Sequence, residues 1–589
     1  MSQRSAAALL LALVVLAYGN SLGNGFVFDD LPLISHNRSI SDFRRLPGLF
    51  LRDYWAASQD LHEGAVSPQS GLYRPLVIAG YSLNAVAGGL QPFGFHLVNV
   101  ILHALVSCLL YFVALQRGMN ATAALVAAAL FAIHPIHTEA VTAIIGRAEL
   151  MMSAGALAYF WFAGAGKLRP SCLALAFALF SKEQGLVLPL VLLISEWTRP
   201  KERDWRRYAA YGLILAWYLV FRWIALGGFS LPPVDPLVNP AATAGTWVRV
   251  WTAIEVAGMY LWLMVWPAAL SANYSFDSIP LAHSPLDPAV AASAVVWLCL
   301  LGLAVRGFAR GARIVPFSVG LTFLTFLPVS NLLLPIGTIM GERLFYLPSA
   351  GLCLLAGMGI EYLLRRASSL PNAFLWRGAV MASLLVAGTA LVLRTAVRNQ
   401  DWADNEQVAL SMLKVVPNNA MAHALLGYTR KMQDTPETRT QALQAYETAL
   451  RIYPEYVRLD PVFASHYGQL QFLAGRPLNA VRIFQDALTT HRQWSTMHYN
   501  LGLAYTKVGR IAEAEKELRE ARTLNPADAD TYNVLSHVLL QQGRFAEALA
   551  AAEEALRYAP RHEGAQYYRA LAMEGLAAQA ATQGGQPAP

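Results

Sequence analysis

Residues 6 to 395 form a succession of long apolar runs, and no other feature restricts the fold as strongly. A helix needs ~20 apolar residues to cross a bilayer. Eleven stretches approach that length: 6–22, 95–115, 121–138, 148–166, 171–195, 208–226, 250–270, 288–305, 314–333, 344–364 and 377–395. Asp29, Asp30, Glu139, Arg147, Lys182, Glu183, Glu342 and Arg343 stand at or beside the ends of these runs. Charge is costly in hydrocarbon, so each of them marks a candidate functional position. After Asn399 the long runs stop and amphipathic helices take over.

Composition agrees with a membrane part joined to a polar part, since 55% of the 589 residues are apolar and only 14% charged. The net charge of +7 arises in the front: 18 Lys and Arg face 20 Asp and Glu from Asn399 onward, against 27 and 18 before it. Basic loops beside anionic lipid, or a phosphate ligand, account for that asymmetry. No basic stripe with interleaved aromatics suggests nucleic acid. Cys108, Cys172, Cys299 and Cys353 lie in separate apolar runs without paired spacing, which argues against disulfide frameworks and zinc sites. The N-terminal run lacks a small-residue cleavage site at Tyr18-Gly19-Asn20 and reads as an uncleaved first span.

Basic clusters mark cytoplasmic loops: Arg117, Lys167 with Arg169, the run from Arg199 to Arg207, Arg306 to Arg313, and Arg365 with Arg366. The loop 23–93 and everything after Arg398 then lie on the opposite side. Two basic clusters flank 171–195, so this stretch is expected to enter and return as two half-helices meeting at Ser181-Lys182-Glu183-Gln184-Gly185. A second irregular crossing is expected within 227–270.

In the back, Gly509, Ala514, Ala521 and Pro526 recur as Gly543, Ala548, Ala555 and Pro560, a period of 34 residues. That is the tetratricopeptide period. Gly468, Gly475, Ala480, Phe484 and Ala487 keep the register; Gly427, Ala449 and Pro454 fit an earlier copy with an insertion around Asp434 to Arg439. Four repeats, preceded by a linking helix from Asp401 to Val416, stack into a solenoid with a concave face. Gln579 to Pro589 reads as a disordered tail.

Among candidate chemical groups, the paired carboxylates Asp29 and Asp30 follow the first span. Like charges held together can poise one of them as a general base, whereas helix capping is the plainer role. His134, His137 and Glu139 precede Arg147 and Glu149. This His-x-x-His-x-Glu set could also bind a divalent metal, but Pro135 interrupts the regular ligand face that common zinc spacing needs, so the expectation favours no metal and no cofactor. His96, Asn99 and His103 share one helix face, as interhelical hydrogen bonding requires. Lys182, Arg343 and Arg74 suit a lipid phosphate. Their adjacent acids, Glu183 and Glu342, point about 100° away on a helix, so partners on other spans are expected.

In order along the chain, Asn20 through Phe28-Asp29-Asp30, Tyr73-Arg74-Pro75-Leu76, His96 with Asn99 and His103, His134-Pro135 with His137 and Glu139, Arg147 with Glu149, Ser181 to Gly185, Gly341-Glu342-Arg343 with Tyr346-Leu347-Pro348-Ser349, and then the repeats resemble the transmembrane and tetratricopeptide repeat-containing proteins. These are polytopic GT-C-type O-mannosyltransferases, with prokaryotic relatives. The resemblance implies an all-α protein: a GT-C-like transmembrane glycosyltransferase domain of about eleven spans over residues 1–398, a tetratricopeptide solenoid over 399–578, and a tail over 579–589.

It further implies transfer of mannose or a similar hexose from a polyprenyl-phosphate donor to a protein hydroxyl on the non-cytoplasmic side, with inversion. In that reaction Asp29 or Asp30 is the base. Lys182, Arg343, Arg74 and His137 hold the donor phosphate; Glu139, Arg147, Glu149, Glu183, Glu342, His96 and His103 support them. The repeats bind the protein acceptor. Compact Ala-rich loops point to a bacterial inner membrane with a periplasmic first loop; the endoplasmic reticulum is the eukaryotic equivalent. Two other readings are a membrane-anchored repeat scaffold without catalysis and a lipid-carrier transporter. An anchor needs only one span and no stranded charges, and the charges gather at one membrane face rather than forming a relay through the bilayer.

Overall fold

The computed structural model describes residues 2–42, 44, 46–56, 70–197, 203–229 and 233–583. Among these residues every regular element is a helix, and the chain divides into two compact units, one ending at Ala422 and the other beginning at His423.

Seven helices of the first unit are long and apolar enough to cross a membrane: Gln3–Gly23, Pro92–Gln116, Trp205–Leu226, Thr246–Val265, Pro288–Ala309, Glu342–Ser368 and Ala373–Gln400. An eighth span is formed if Ala121–Ile133 and Pro135–Val141 are taken together across their 50° bend. Proline at the junction explains the bend, because its ring cannot continue the hydrogen-bonded ladder. Shorter apolar helices occupy Pro75–Gly88, Leu168–Ser181 and Ile314–Val329. Proline opens the helices at Pro75, Pro92 and Pro288, where a missing N–H costs nothing.

Three features differ from the expectations. The loop 23–93 contains the apolar helix Pro75–Gly88, shorter than a span and preceded by the polar Arg74. The stretch 148–166 is the buried helix Arg147–Gly164, which packs inside the unit and carries Arg147 and Glu149 in its first turn. Among the described residues between 227 and 270 there is no second broken crossing, only the turn Pro240–Ala242 ahead of the regular helix Thr246–Val265. The break at 181–185 is present: Leu168–Ser181 stops, Lys182 is extended, and Glu183–Val187 turns into Leu188–Glu196.

Small residues let the helices close up. A Cβ on Gly357 would lie 2.4 Å from the carbonyl oxygen of Ala123, and one on Gly351 would lie 2.2 Å from that of Ser318. Both glycines belong to Glu342–Ser368, which therefore packs backbone to backbone on two neighbours. Residues 199–202 of the basic run fall outside the described residues; Arg207 pairs with Glu196.

The helix Asn405–Val415, expected to lead the repeats, belongs to the first unit, which extends 24 residues past the expected boundary at 398. In the second unit the pairs Pro461–Leu473 with Pro477–Leu488, Ser495–Lys507 with Ile511–Leu524, and Ala529–Gln541 with Phe545–Tyr558 turn at Gly475, Gly509 and Gly543, all at positive φ. Only glycine adopts that conformation freely at a helix end. At the corresponding turn of the preceding pair, Asp434 has φ 55° and the second helix starts two residues on, as in the other pairs; the added length lies instead in that helix, Pro436–Ile452, 17 residues long, and in the extra turn Tyr456–Leu459. Gln579 to Gln583 are helical, closing Glu563–Gln583; residues 584–589 of the expected tail lie outside the described residues.

Candidate active site

The first span ends at Gly23, and the chain then folds back through Phe28 into a short turn, Leu31–Ser35. Phe28 has φ 53°, a left-handed conformation that a bulky side chain resists. It separates the fates of the two aspartates that follow. Asp30 is fully buried; its Oδ2 accepts the Val27 N–H and its Oδ1 the Ile145 N–H, both at 3.1 Å. It ties the loop to the entry of the helix Arg147–Gly164. Asp29 is half-buried, and among the described residues its carboxylate accepts no hydrogen bond; it faces a cavity of about 220 Å³. Burial raises the Asp29 carboxyl above its ordinary value, with Arg343 opposing and Glu139 reinforcing the rise. Burial also pushes Asp30 up to about 7, against the pull of its two N–H donors.

The cavity's opposite wall carries Arg343 and Glu139. Glu139 is 1% exposed and accepts both the Arg343 backbone N–H, at 2.8 Å, and its guanidinium; the Arg343 side chain remains 32% exposed. Arg343 is thus held by a buried acid while one edge stays open to the cavity. Its field reaches Asp29 and Glu149 as well as Glu139. Asn273 and Thr338 add polar groups, and Trp402, Val408, Met412 and Met421 add an apolar wall. None of these six carries a signal in the sequence, because loop amides and the apolar face of an ordinary amphipathic helix look alike wherever they occur.

The other candidate cations are also paired across segments rather than with their neighbours in sequence. Lys182 binds Glu149, both side chains 3% exposed. Arg74 grips Glu183 with two bonds, Nε to Oε2 at 3.1 Å and Nη2 to Oε1 at 2.6 Å. Arg74 lines a second cavity, about 370 Å³, with Arg44, Arg52 and Tyr54. Lys182, Glu149 and Glu183 line neither of these two cavities.

The remaining candidates hold the frame. Glu342 accepts the Ser271 N–H at 2.6 Å and the Tyr274 hydroxyl at 2.9 Å, with Arg398 3.8 Å away. Arg147 is fully engaged without a carboxylate: it donates to Asn99 at 3.0 Å, Asn84 at 2.6 Å and the carbonyls of Gly80 and Phe95, and its guanidinium lies over Tyr81. That joins three helices through one side chain. His137 is buried, with Nδ1 2.9 Å from the Phe131 carbonyl and Nε2 2.8 Å from the Ser349 hydroxyl, so neither nitrogen faces the cavity. His103 lies 2.7 Å from the Tyr346 hydroxyl and 3.1 Å from the Ala132 carbonyl. His96 reaches the Gly25 carbonyl at 3.4 Å. Among the described residues no three His, Cys, Asp or Glu side chains converge as a metal site.

The family model "Protein O-mannosyl-transferase TMTC, DUF1736" matches residues 228–301, and tetratricopeptide models match 495–528 and 529–562. The chain is similar to the TMTC family over most of its length. Similar TMTC proteins include "Protein O-mannosyl-transferase Tmtc3" of Drosophila melanogaster, 27% identical over 87% of this chain and 58% of the relative. The human "Protein O-mannosyl-transferase TMTC3" is 27% identical over 88% and 55%, and the mouse "Protein O-mannosyl-transferase TMTC4" 29% identical over 70% and 62%. The chain therefore spans somewhat over half the length of these TMTC relatives. The matched segment at 228–301 includes Val238 and Asn273 of the cavity wall, and with its apolar helices the chain is an integral membrane protein.

Proposed function

We propose that the protein is an integral-membrane glycosyltransferase that moves mannose, or a similar hexose, from a polyprenyl-phosphate donor to a protein hydroxyl on the non-cytoplasmic side. The observation that carries this reading is the pairing, in one cavity, of a carboxylate free of hydrogen bonds among the described residues, Asp29, with a partly open guanidinium, Arg343. The names of the relatives supply the transferred sugar and the class of acceptor.

In the proposed step the acceptor oxygen forms a bond to the anomeric carbon as the bond from that carbon to the phosphate oxygen breaks. The phosphate keeps the electron pair and leaves as polyprenyl phosphate; the hydroxyl proton passes to Asp29. Attack opposite the leaving group inverts the anomeric centre. Arg343, already fixed by Glu139, meets the negative charge that develops on the phosphate, and a preoriented charge in a site poor in water is worth far more than one in solution. Burial raises the Asp29 carboxyl and so strengthens it as a proton acceptor, while Arg343 opposes part of that rise. Arg74, held by Glu183 at the second cavity, is the further cation a lipid phosphate could meet, whereas Lys182 is sealed against Glu149 and fixes the break at 181–185.

The repeats are assigned to the protein acceptor, because a solenoid offers an extended concave surface. Carrying the repeats on the same chain as the membrane unit raises the acceptor's effective concentration. Bacterial inner membrane and endoplasmic reticulum place that surface in equivalent non-cytoplasmic compartments. The test is purified full-length protein supplied with polyprenyl-phosphate mannose and a threonine-rich peptide: release of polyprenyl phosphate and mannosylated peptide is expected, and intact donor after prolonged incubation would overturn the reading.

A further inference from the structure

The loop that carries Asp29 does not hold itself in place. Asn20 donates to the Ala396 carbonyl at 2.7 Å, Asn24 to the Asn399 carbonyl at 2.9 Å, and the Gly25 N–H to the Ala403 carbonyl at 2.9 Å. Asn399 answers from the other side, donating to Ala17 at 2.8 Å and Asn20 at 2.6 Å, while its Oδ1 accepts the Thr142 hydroxyl at 2.8 Å. The end of the last span and the turn after it are therefore stitched to the approach to the candidate base. The final stitch is the most telling: the Phe28 N–H donates to Oδ1 of Asn405 at 2.7 Å. Phe28 is the residue in the left-handed conformation, and Asp29 is the next one along.

We infer that Asn405 is a positioning residue for Asp29, holding the strained Phe28 peptide so that the carboxylate points into the cavity toward Arg343. This rests on the proposed role of Asp29 and deepens it. Asn405 opens the helix Asn405–Val415 but is not needed to cap it, since the Asp404 side chain accepts the Gln407 N–H at 2.9 Å. Its amide oxygen is spent on Phe28 instead. The same helix lays Val408 and Met412 against the cavity, with Trp402 just ahead of it. One segment thus both fixes the base and closes its cavity, and the chain passes through that segment on its way to the repeats. Strain of this kind persists only where surrounding groups over-determine it, and it gathers at sites where geometry matters to chemistry.

The experiment compares full-length wild type, Asn405→Ala, Asn405→Asp and Asp29→Asn, reading release of polyprenyl phosphate from polyprenyl-phosphate mannose in the presence of a threonine-rich peptide. Asn405→Ala is expected to lower kcat on the order of 10- to 100-fold, as a small misplacement of a reacting group does, with the donor KM within about twofold of wild type because Arg343 is untouched. Asn405→Asp keeps the accepting oxygen and is expected to restore most of kcat. Its added negative charge should also move the acid limb of the kcat profile to higher pH, by making Asp29 harder to ionise. A merely structural contact would lower stability without separating kcat from KM, and Asn405→Asp would then bring no selective recovery of kcat. If Asp29→Asn is inactive while Asn405→Ala turns over as wild type does, the inference falls and the base assignment stands. If Asp29→Asn turns over normally, the base assignment itself falls and takes the inference with it.

Discussion

Asp30→Asn separates the two adjacent carboxylates, because the structure gives them different work. Both oxygens of Asp30 are occupied by backbone N–H groups, from Val27 and Ile145, and the side chain is sealed from solvent. An amide has one accepting oxygen, so one of those N–H groups would face an NH₂ donor. Leaving a buried donor unpaired costs about 1–3 kcal/mol, and the loss should appear as a lower unfolding midpoint with turnover reduced only modestly. The pH dependence sharpens the test. Asp30 has a carboxyl pushed up from 3.8 to about 7 in the folded protein. Between those values the native state binds a proton that the unfolded chain has released. Its contribution to stability is therefore complete below about pH 4 and is lost as pH rises through about 7, a change on the order of 4 kcal/mol across the interval. In Asp30→Asn that slope should vanish. Thermal unfolding in detergent from pH 4 to 8, with turnover measured on the same samples, reads both effects. An Asp30→Asn protein with wild-type stability, an unchanged pH slope and turnover lowered a hundredfold would make Asp30 the base and refute this division of roles.

Arg343→Met should lower kcat/KM for the lipid donor on the order of 10²-fold or more, with Arg343→Lys retaining part of it; equal turnover in wild type and Arg343→Met would remove Arg343 from the phosphate site. Gly357→Ala forces a Cβ to within 2.4 Å of the Ala123 carbonyl oxygen and should destabilise the membrane unit by about 1–3 kcal/mol. Gly359→Ala, which meets nothing within 4 Å, serves as its control in thermal unfolding. A chain ended at Ala422, the edge of the first compact unit, should still release polyprenyl phosphate by passing the sugar to water or a small hydroxyl acceptor, yet transfer little sugar to protein acceptors. Equal transfer by the shortened and whole chains would show that the repeats do not recruit the acceptor.

Residues that violate their surroundings are legible in the amino-acid sequence alone. Charges in an apolar run, as at Lys182 and Glu139, and glycines at a fixed period, as at Gly509 and Gly543, stand out because each is costly or useless without a particular fold. Their pairing, Lys182 with Glu149 and Arg343 with Glu139, is only constrained by helix geometry, not specified by it. The difference between Asp29 and Asp30 is invisible in sequence: two identical neighbours are told apart only by which backbone N–H groups converge on one of them. The cavity's apolar wall is hidden for the opposite reason. Val408 and Met412 sit on an amphipathic helix indistinguishable by pattern from those of the repeats, and Asn273 lies in an uncharged loop without period. The helix Pro75–Gly88 does not announce itself as a span because its 14 residues are too few to cross a bilayer.

The most direct measurement is the turnover of Asp29→Asn against wild type, with donor binding measured in parallel. Asparagine preserves the shape of a side chain that accepts no hydrogen bond among the described residues, so folding and donor binding should be unaffected, and release of polyprenyl phosphate should fall on the order of 10²-fold or more. The wild type's acid limb should lie above the ordinary aspartate range, because burial raises the Asp29 carboxyl. Near-normal release by Asp29→Asn, with the wild-type pH profile intact, would contradict the assignment of Asp29 as the base.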